Sequence, residues 1–311
     1  MNEEDRSKTV ALLTSVSLAD GGACTVRHMM RTLMVTVAVS TALLSLAEGA
    51  GESGITLDDY VRGCAGFDFH SKWLSYGFND NDDPLILPTA SLEFFNTLTT
   101  GATCYMDLTD WGKNAGRGTG PFEMWEADYT ADAKHVFTPA DHAFLQTSVE
   151  LGVGYRYEYY PSRCGYGDSQ FWLGSLTLPD LWLVPKVVYE RDVMLDNGTY
   201  VNLALSHSFE LGRTLQLVPS VSQGIGDRKR VSSYGQREDG SPLDRAGFMD
   251  FRLAYTLEWR PFDNLLVSGY VAYTDFPFDR HIRESARRHL GDAVDLECWN
   301  FTAGFSVRIM F

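Results

Sequence analysis

The stretch FTAGFSVRIMF, residues 301–311, decides the fold class of this chain. Its odd positions carry Phe, Ala, Phe, Val, Ile and Phe, and its even positions carry polar, small or flexible side chains. Successive side chains of a β-strand point to opposite faces, so the stretch predicts a strand with one apolar and one polar face. A soluble β-sandwich could bury such a face, and a membrane barrel could turn it towards lipid. The rest of the chain has to decide between the two.

The same alternation recurs upstream in four further segments. In VELGVGYRYEY, residues 149–159, Val, Leu and Tyr side chains alternate with Glu, Gly and Arg. Residues 183–190, 201–209 and 251–259 follow the same pattern, and aromatic residues gather near the ends of several segments. Alternating segments of about ten residues separated by turns are typical of transmembrane β-barrels, in which aromatic girdles lie at both interfaces.

Twelve segments of the chain are predicted to be strands, and an even number is what a bacterial barrel requires. They are residues 65–77, 86–95, 99–109, 122–132, 146–159, 169–177, 182–192, 199–209, 214–224, 246–260, 264–276 and 297–311. Short turns follow the second, sixth, eighth and tenth strands, and long polar loops follow the third, ninth and eleventh. The segment 133–145 is the exception, because it is long for a turn on the short side. This sorting predicts an all-β fold, a single antiparallel transmembrane β-barrel of about twelve strands.

Residues 31–47, RTLMVTVAVSTALLSLA, have the features of an export signal. One arginine precedes an uncharged run of 16 residues, and Ser45 and Ala47 offer the small side chains that a signal peptidase needs. A membrane-spanning helix needs about 20 residues, so a retained anchor is the weaker interpretation. We therefore expect an N-terminal extension and a cleaved signal peptide in 1–47, with the true start at Met29 or Met30. A periplasmic segment is expected in 48–63, and the barrel in 64–311.

The overall charge and the cysteine pattern argue against several other classes. A net charge of −15 without a basic stripe argues against nucleic acid as a partner. The short basic run 228–230 is predicted to be a solvated loop. The sequence predicts no metal and no cofactor. An exported chain permits disulfides, but the absence of any zinc-site spacing leads us to expect free thiols at Cys64, Cys104, Cys164 and Cys298.

If the apolar faces contact lipid, the opposite faces line the interior of the barrel. That inner face gathers sixteen titratable side chains: Asp68, His70, Lys72, Glu93, Asp107, Glu126, Asp128, Glu150, Arg156, Glu158, Lys186, Glu190, Asp192, Arg252, Glu258 and Arg308. Unpaired charges are costly away from water, so these groups must be paired or hydrated.

Two interpretations of this inner face stay open. A water-filled pore with an acidic excess would favour small cations or neutral polar solutes. A lattice of ion pairs would instead fill a narrow barrel. The barrel would then be a closed structural or adhesion protein that acts through the loops 225–245 and 278–296.

The sequence carries no recognisable catalytic arrangement. Neither H-E-x-x-H nor G-x-S-x-G occurs, and adjacent His70 and Ser71 would point to opposite faces of a strand. An outer-membrane hydrolase is therefore the weakest of the three function classes, and we expect the protein not to be an enzyme. The acidic run NDNDD, residues 79–83, lacks the glycine and the late glutamate of a calcium loop, and is predicted to be a solvated turn.

The stretch 301–311 resembles the closing strand of bacterial outer-membrane barrels. In those barrels the assembly machinery reads a terminal aromatic and alternating apolar residues, a role that the resemblance implies for Phe305, Val307, Ile309 and Phe311. The run FDFHSKW, residues 67–73, is similar to the start of porin-like barrels of Gram-negative bacteria. The resemblance implies a location in the bacterial outer membrane, with membrane lipid and the barrel-assembly machinery as partners. It implies passage of small solutes without naming any of them.

We predict that deleting Phe311 prevents assembly, because the deletion removes the last side chain of the apolar stripe on the closing strand. The truncated protein should accumulate unfolded in the periplasm, detected as loss of the heat-modifiable band in gel electrophoresis. Phe311→Tyr keeps an aromatic ring, so this matched control should insert normally. Normal membrane insertion of the truncated chain would contradict the prediction.

Overall fold

The computed structural model describes residues 60–109, 121–142, 144–161, 167–286 and 299–311. The strands are β1 (Val61–His70), β2 (Trp73–Ser75), β3 (Phe78–Asn81), β4 (Leu85–Phe94), β5 (Leu98–Asp107), β6 (Met124–Phe137), β7 (Val149–Tyr159), β8 (Ser169–Thr177), β9 (Val184–Asp192), β10 (Thr199–Ser206), β11 (Phe209–Glu210), β12 (Leu215–Gly226), β13 (Gly247–Phe262), β14 (Leu265–Asp275) and β15 (Asn300–Met310). Two short helices are α1 (Arg228–Tyr234) and α2 (Arg280–Ala286). Within these ranges no helix has the length and apolar character needed to cross a membrane.

Twelve of the described strands close into a ring in which every neighbouring pair is antiparallel. Around the ring they follow the order β1, β4, β5, β6, β7, β8, β9, β10, β12, β13, β14 and β15. The seam joins β1 to β15, with Cys64 opposite Met310 and His70 opposite Gly304. The two-residue strand β11 extends the pairing of β12 outside the ring, and β2 and β3 form a separate hairpin. Closure leaves no unpaired strand edge in the ring.

The predicted barrel of about twelve antiparallel strands is confirmed, with two corrections to its strands. Strand β1 ends at His70 rather than at residue 77, so Lys72 lies in the turn before β2 and not on a wall strand. The ladder ends there because the Ser71 side chain accepts from the Ala303 N–H at 3.0 Å and takes the place of a backbone carbonyl. Strand β6 continues to Phe137, opposite Val149, which shortens the long turn predicted at 133–145 to residues 138–148.

The two faces of the wall strands differ in polarity as the alternation predicts. Large apolar side chains such as Val153 (67 % exposed), Trp172, Leu253 and Phe301 lie exposed on the outside. Their neighbours of opposite parity, such as Thr302 and Ser306, are buried. Soluble proteins rarely expose a contiguous apolar band of this kind, whereas a lipid bilayer requires one. The predicted signal peptide and most of the predicted periplasmic segment lie outside the described residues.

The hairpin of β2 and β3 folds into the ring and spans its interior. Its turn at Tyr76 and Gly77 uses left-handed backbone conformations, with φ of 52° and 85°. The Tyr76 hydroxyl donates to Glu190 Oε2 at 3.0 Å on β9, which lies six strands from β1 in the ring of twelve. At its base Asn81, fully buried, donates to Asp107 on β5. The prediction of a solvated turn at 79–83 was therefore wrong, because paired polar groups can be buried at this site.

An apolar cluster fills one side of the long-loop end of the barrel. We name it the apolar plug; its members are Phe78, Tyr200, Val231, Leu243, Met249, Phe276 and Ile282. Helices α1 and α2 contribute Val231 and Ile282, which are both fully buried. Asp227 caps α1 by accepting from the Arg230 N–H at 2.9 Å, which fixes the helix over the ring. The plug packs against β10, β13 and the hairpin.

We predict that Leu253→Arg destabilises the barrel by about 2–4 kcal/mol, because Leu253 lies midway along the lipid-facing side of β13. Thr256→Arg, three residues further along the same strand, faces the interior and should cost less. Unfolding in urea from lipid vesicles measures both free energies. Equal costs at the two positions would show that the assigned faces are wrong.

Candidate functional site

A cavity of about 430 Å³ lies between the hairpin, strands β5 to β9 and helix α1. It adjoins the apolar plug through Tyr76 and Tyr234, which pack against that cluster. Its walls combine ionisable groups with a continuous set of aromatic side chains. The aromatic members are Trp73, Tyr76, Tyr105, Trp125, Tyr160, Phe171 and Tyr234. We call this space the lumenal pocket.

Three carboxylates form the acidic end of the lumenal pocket. Asp128 on β6 is paired with Glu158 on β7, and a spacing of two residues brings Glu126 to the same face. One carboxylate oxygen from each lies within 4.8 Å of the other two. The Tyr105 hydroxyl donates to Asp128 Oδ2 at 3.0 Å, and the Tyr160 hydroxyl donates to Glu158 Oε2 at 3.0 Å. The other oxygen of Asp128, Oδ1, is buried and has no hydrogen-bond partner among the described residues.

Arg156 on β7 neutralises one flank of this cluster. Its Nε lies 3.0 Å from Glu158 Oε1, and its Nη2 lies 3.3 Å from Glu190 Oε2. Its guanidinium lies over the Phe171 ring at 4.4 Å from the centroid. Glu126 and Asp128 have no ion pair with a Lys or Arg in the described part of the chain. The acidic end therefore holds two buried carboxylates beyond those that Arg156 pairs.

Arg230 on α1 forms the opposite end of the lumenal pocket. Its side chain is only 2 % exposed, and Nη1 pairs with Asp196 Oδ2 at 3.1 Å. The guanidinium lies over the Tyr76 ring, with 4.6 Å between Cζ and the centroid. Nε and Nη2 have no hydrogen-bond partner among the described residues. Burial raises the pKa of the Asp196 carboxyl, and the neighbouring Arg230 guanidinium opposes that rise.

A second group of polar side chains lies on the inner face of the seam strands and β13. Arg308 pairs with Asp68 at 3.2 Å, and His70 Nδ1 lies 2.6 Å from the Tyr270 hydroxyl. Arg252 lies over the Tyr270 ring at 5.5 Å. The Arg308 side chain is 42 % exposed although it points away from the lipid face. The inner face is therefore accessible to solvent at Arg308, two residues before the end of β15.

The structure brings some of the sixteen predicted side chains together and keeps others apart. Glu126, Asp128, Arg156, Glu158, Glu190 and Asp192 line the lumenal pocket. Asp107 holds the base of the hairpin, and Lys72 pairs with Asp82 there at 2.7 Å. Elsewhere on the inner face are Asp68, His70, Glu93, Glu150, Lys186, Arg252, Glu258 and Arg308.

The sequence pattern indicates neither Arg230 nor the aromatic wall as part of a site. Arg230 belongs to the basic run 228–230, which was predicted to be solvated; Arg228 is exposed as expected, but Arg230 is buried. The signal that could have separated them is Asp227, a helix-capping residue three positions before Arg230. Cys64 is a free thiol as expected, and Cys164 and Cys298 lie outside the described residues. The expectation for Cys104 stays a prediction.

All four residues of the proposed assembly signal lie in the seam. The Phe305 ring stacks on Phe69 with 5.3 Å between centroids. The Phe311 N–H donates to the Gly63 carbonyl at 2.9 Å, so the pairing with the β1 chain continues through the last residue. Val307 and Ile309 lie opposite Phe67 and Ala65.

Several solved structures share the barrel shape with this chain. An outer membrane channel from Pseudomonas putida F1 is 10% identical, with a TM-score of 0.48, over 81% of this chain and 96% of that one. The NanC porin is 8% identical, with a TM-score of 0.45, over 80% and 98% of the two chains. The KdgM porin, solved with disordered oligogalacturonate, is 7% identical with a TM-score of 0.42, over 80% and 98%. These similarities concern the shape of the barrel fold and do not identify a solute. Neither a protein-family description nor a curated protein sequence matches the chain.

The class of protein follows from the architecture. A closed antiparallel barrel with an apolar outer face and a polar, ionisable interior is how a β-sheet satisfies its backbone in lipid. The chain is a closed antiparallel β-barrel of the membrane-spanning type. The hairpin, the apolar plug and the lumenal pocket lie at the end from which the long loops leave the ring. In bacterial outer-membrane barrels that end is extracellular.

We predict that Arg156→Met destabilises the protein by about 3 kcal/mol, because it leaves Glu158 and Glu190 without their buried partner. The measurement is the free energy of unfolding in urea at neutral pH. Arg280→Met breaks an ion pair with Glu284 in which the arginine is 86% exposed. That control should leave stability close to the unmodified value. A similar loss in both variants would show that Arg156 does not hold the acidic cluster together.

Proposed function

We propose that this barrel conducts small cations and small polar solutes across the outer membrane. The observation that carries the proposal is the contrast between the two sides of its extracellular end. One side is filled by the apolar plug, and the other keeps a polar cavity lined by carboxylates. In this proposal the lumenal pocket is the route by which a solute passes this end.

The charge of the inner face supports a preference for cations. Of the sixteen side chains predicted for the inner face, ten are carboxylates, five are Lys or Arg and one is His, a formal excess of five negative charges. Strands β5, β6 and β7 supply five of the carboxylates, Asp107, Glu126, Asp128, Glu150 and Glu158, and one of the arginines, Arg156. Charges of one sign on a low-dielectric wall focus a field that raises the local concentration of cations.

A closed structural or adhesion barrel is the second candidate function. The apolar plug favours it, because helix α1 and helix α2 are packed into the ring rather than extended away from it. The outward loops that contain 225–245 and 278–296 would then contact a partner. Conductance separates the two candidates, since a closed barrel shows no channel events in a planar bilayer.

We predict that the purified barrel in a KCl gradient gives a reversal potential of the sign expected for selectivity for K⁺ over Cl⁻. The triple variant Glu126→Gln, Asp128→Asn, Glu150→Gln should move that potential towards zero, because it removes three negative charges from the wall. The matched control Glu210→Gln, Glu238→Gln, Asp263→Asn removes three exposed charges outside the ring wall and should leave the potential unchanged. Preference for Cl⁻ in the unmodified protein would overturn the proposal, and so would the absence of channel events.

A further inference from the structure

The lumenal pocket contains two buried groups of opposite charge, Asp128 and Arg230, that are each only partly satisfied by hydrogen bonds within the described residues. Asp128, 7% exposed, has an unpaired carboxylate oxygen, and Arg230, 2% exposed, has two unpaired guanidinium nitrogens. Leaving a buried charged donor or acceptor without a hydrogen bond costs free energy, so native structures seldom keep such groups unless something binds there. Both groups line one cavity.

The acidic end is shaped to receive a positive charge. Glu126 and Asp128 are buried side by side, and the nearest cation, Arg156, is already paired with Glu158 and Glu190. Tyr105 and Trp125 pack together at this end, with 5.5 Å between ring centroids. Carboxylates beside aromatic faces suit an ammonium group, which pairs with the first and is attracted to the second.

The basic end is shaped to receive a planar anion. The Arg230 guanidinium lies over two aromatic rings, with Cζ 4.6 Å from the Tyr76 centroid and 5.4 Å from the Phe171 centroid. Asp196 takes Nη1, so the edge formed by Nε and Nη2 remains for a ligand. Such an edge matches the two oxygens of a carboxylate in a bidentate pair.

The two ends line one cavity. Phe171 borders both of them, because its ring centroid lies 4.4 Å from Arg156 Cζ beside the acidic end and 5.4 Å from Arg230 Cζ. A cavity of about 430 Å³ accommodates a small organic ligand, within the range of ordinary ligand sites. The aromatic wall between the ends offers an apolar surface for a side chain.

We propose that the lumenal pocket binds a small zwitterion that carries one ammonium and one carboxylate group, an α-amino acid with an apolar side chain or a short peptide of such residues. The ammonium pairs with Glu126 and Asp128, and the carboxylate takes the free edge of Arg230. A metal ion would satisfy only the acidic end, and a simple anion only the basic end. The role of this site in transport rests on the proposed function. The site adds the class of solute to that proposal.

The test is calorimetric titration of the folded full chain in detergent with four probes. L-phenylalanine carries both charges, phenethylamine lacks the carboxylate, 3-phenylpropionate lacks the ammonium, and the dipeptide L-alanyl-L-phenylalanine separates the two charges further. L-phenylalanine or the dipeptide should bind roughly tenfold or more tightly than either singly charged probe, because each lost charged hydrogen-bond pair costs more than about 1.4 kcal/mol. The tighter of the two zwitterions identifies the preferred source.

Variants at each end of the lumenal pocket show which end binds the ammonium group and which end binds the carboxylate. Asp128→Asn should weaken binding of the zwitterion and of phenethylamine, and leave 3-phenylpropionate unchanged. Arg230→Lys should weaken the zwitterion and 3-phenylpropionate, and leave phenethylamine unchanged. Arg252→Gln, an inner-face arginine outside the lumenal pocket, should leave all four affinities unchanged. If Arg230→Lys does not fold, the comparison of the four probes on the unmodified protein still decides.

Three outcomes would overturn the proposal: phenethylamine binding as tightly as L-phenylalanine, binding of Ca²⁺ alone at the acidic end, and no binding of either zwitterion. The titration does not depend on conduction. Zwitterion binding by a barrel without channel events would refute the channel and leave the site standing. A conducting barrel that binds no zwitterion would refute the site alone.

Discussion

The pairing of β1 with β15 is the interaction on which the rest of the structure depends. Seven residue pairs join the first and last strands of the ring, and the Asp68–Arg308 ion pair reinforces this seam on the inner face. In hydrocarbon an unpaired strand edge would leave backbone donors and acceptors without partners at several kcal/mol each. Closure is therefore what makes the other eleven neighbour pairings sustainable in lipid, and it also encloses the interior in which the lumenal pocket forms.

Much of the fold could be predicted from the sequence, because apolar and polar side chains alternate along each strand. Lipid outside the barrel and polar groups inside it impose this alternation. The predicted strand bounds are wrong where the polarity of a segment does not match its place in the fold. Strand β6 was cut short because Lys134 and His135 break the alternation, although the ladder to β7 continues through Phe137. Strand β1 was extended too far because Trp73 and Tyr76 continue the aromatic pattern, although they belong to the inward hairpin.

The candidate site was predictable only in part. Parity along β6, β7 and β9 places Glu126, Glu158 and Glu190 on the inner face, which a single sequence can indicate. The depth of the hairpin and the burial of Arg230 depend on partners far away in the chain: Tyr76 meets Glu190 across 114 positions. From composition alone such polar segments are predicted to be exposed to solvent. Only their tertiary contacts show that they are buried. Whether the inner-face groups line a conducting path stays a prediction.

The seam has a kinetic consequence. The hydrogen-bonded residues Gly63 and Phe311 are 248 positions apart, so the seam that completes the ring closes a very long loop at a large entropic cost. The hairpin, helix α1 and helix α2 come from three distant places in the chain and pack together in one cluster at the end of the ring that this seam closes. A molecule that fits the lumenal pocket would bind only the finished barrel. By mass action its binding would stabilise the closed ring, and the gain in the free energy of unfolding would rise with the logarithm of its concentration.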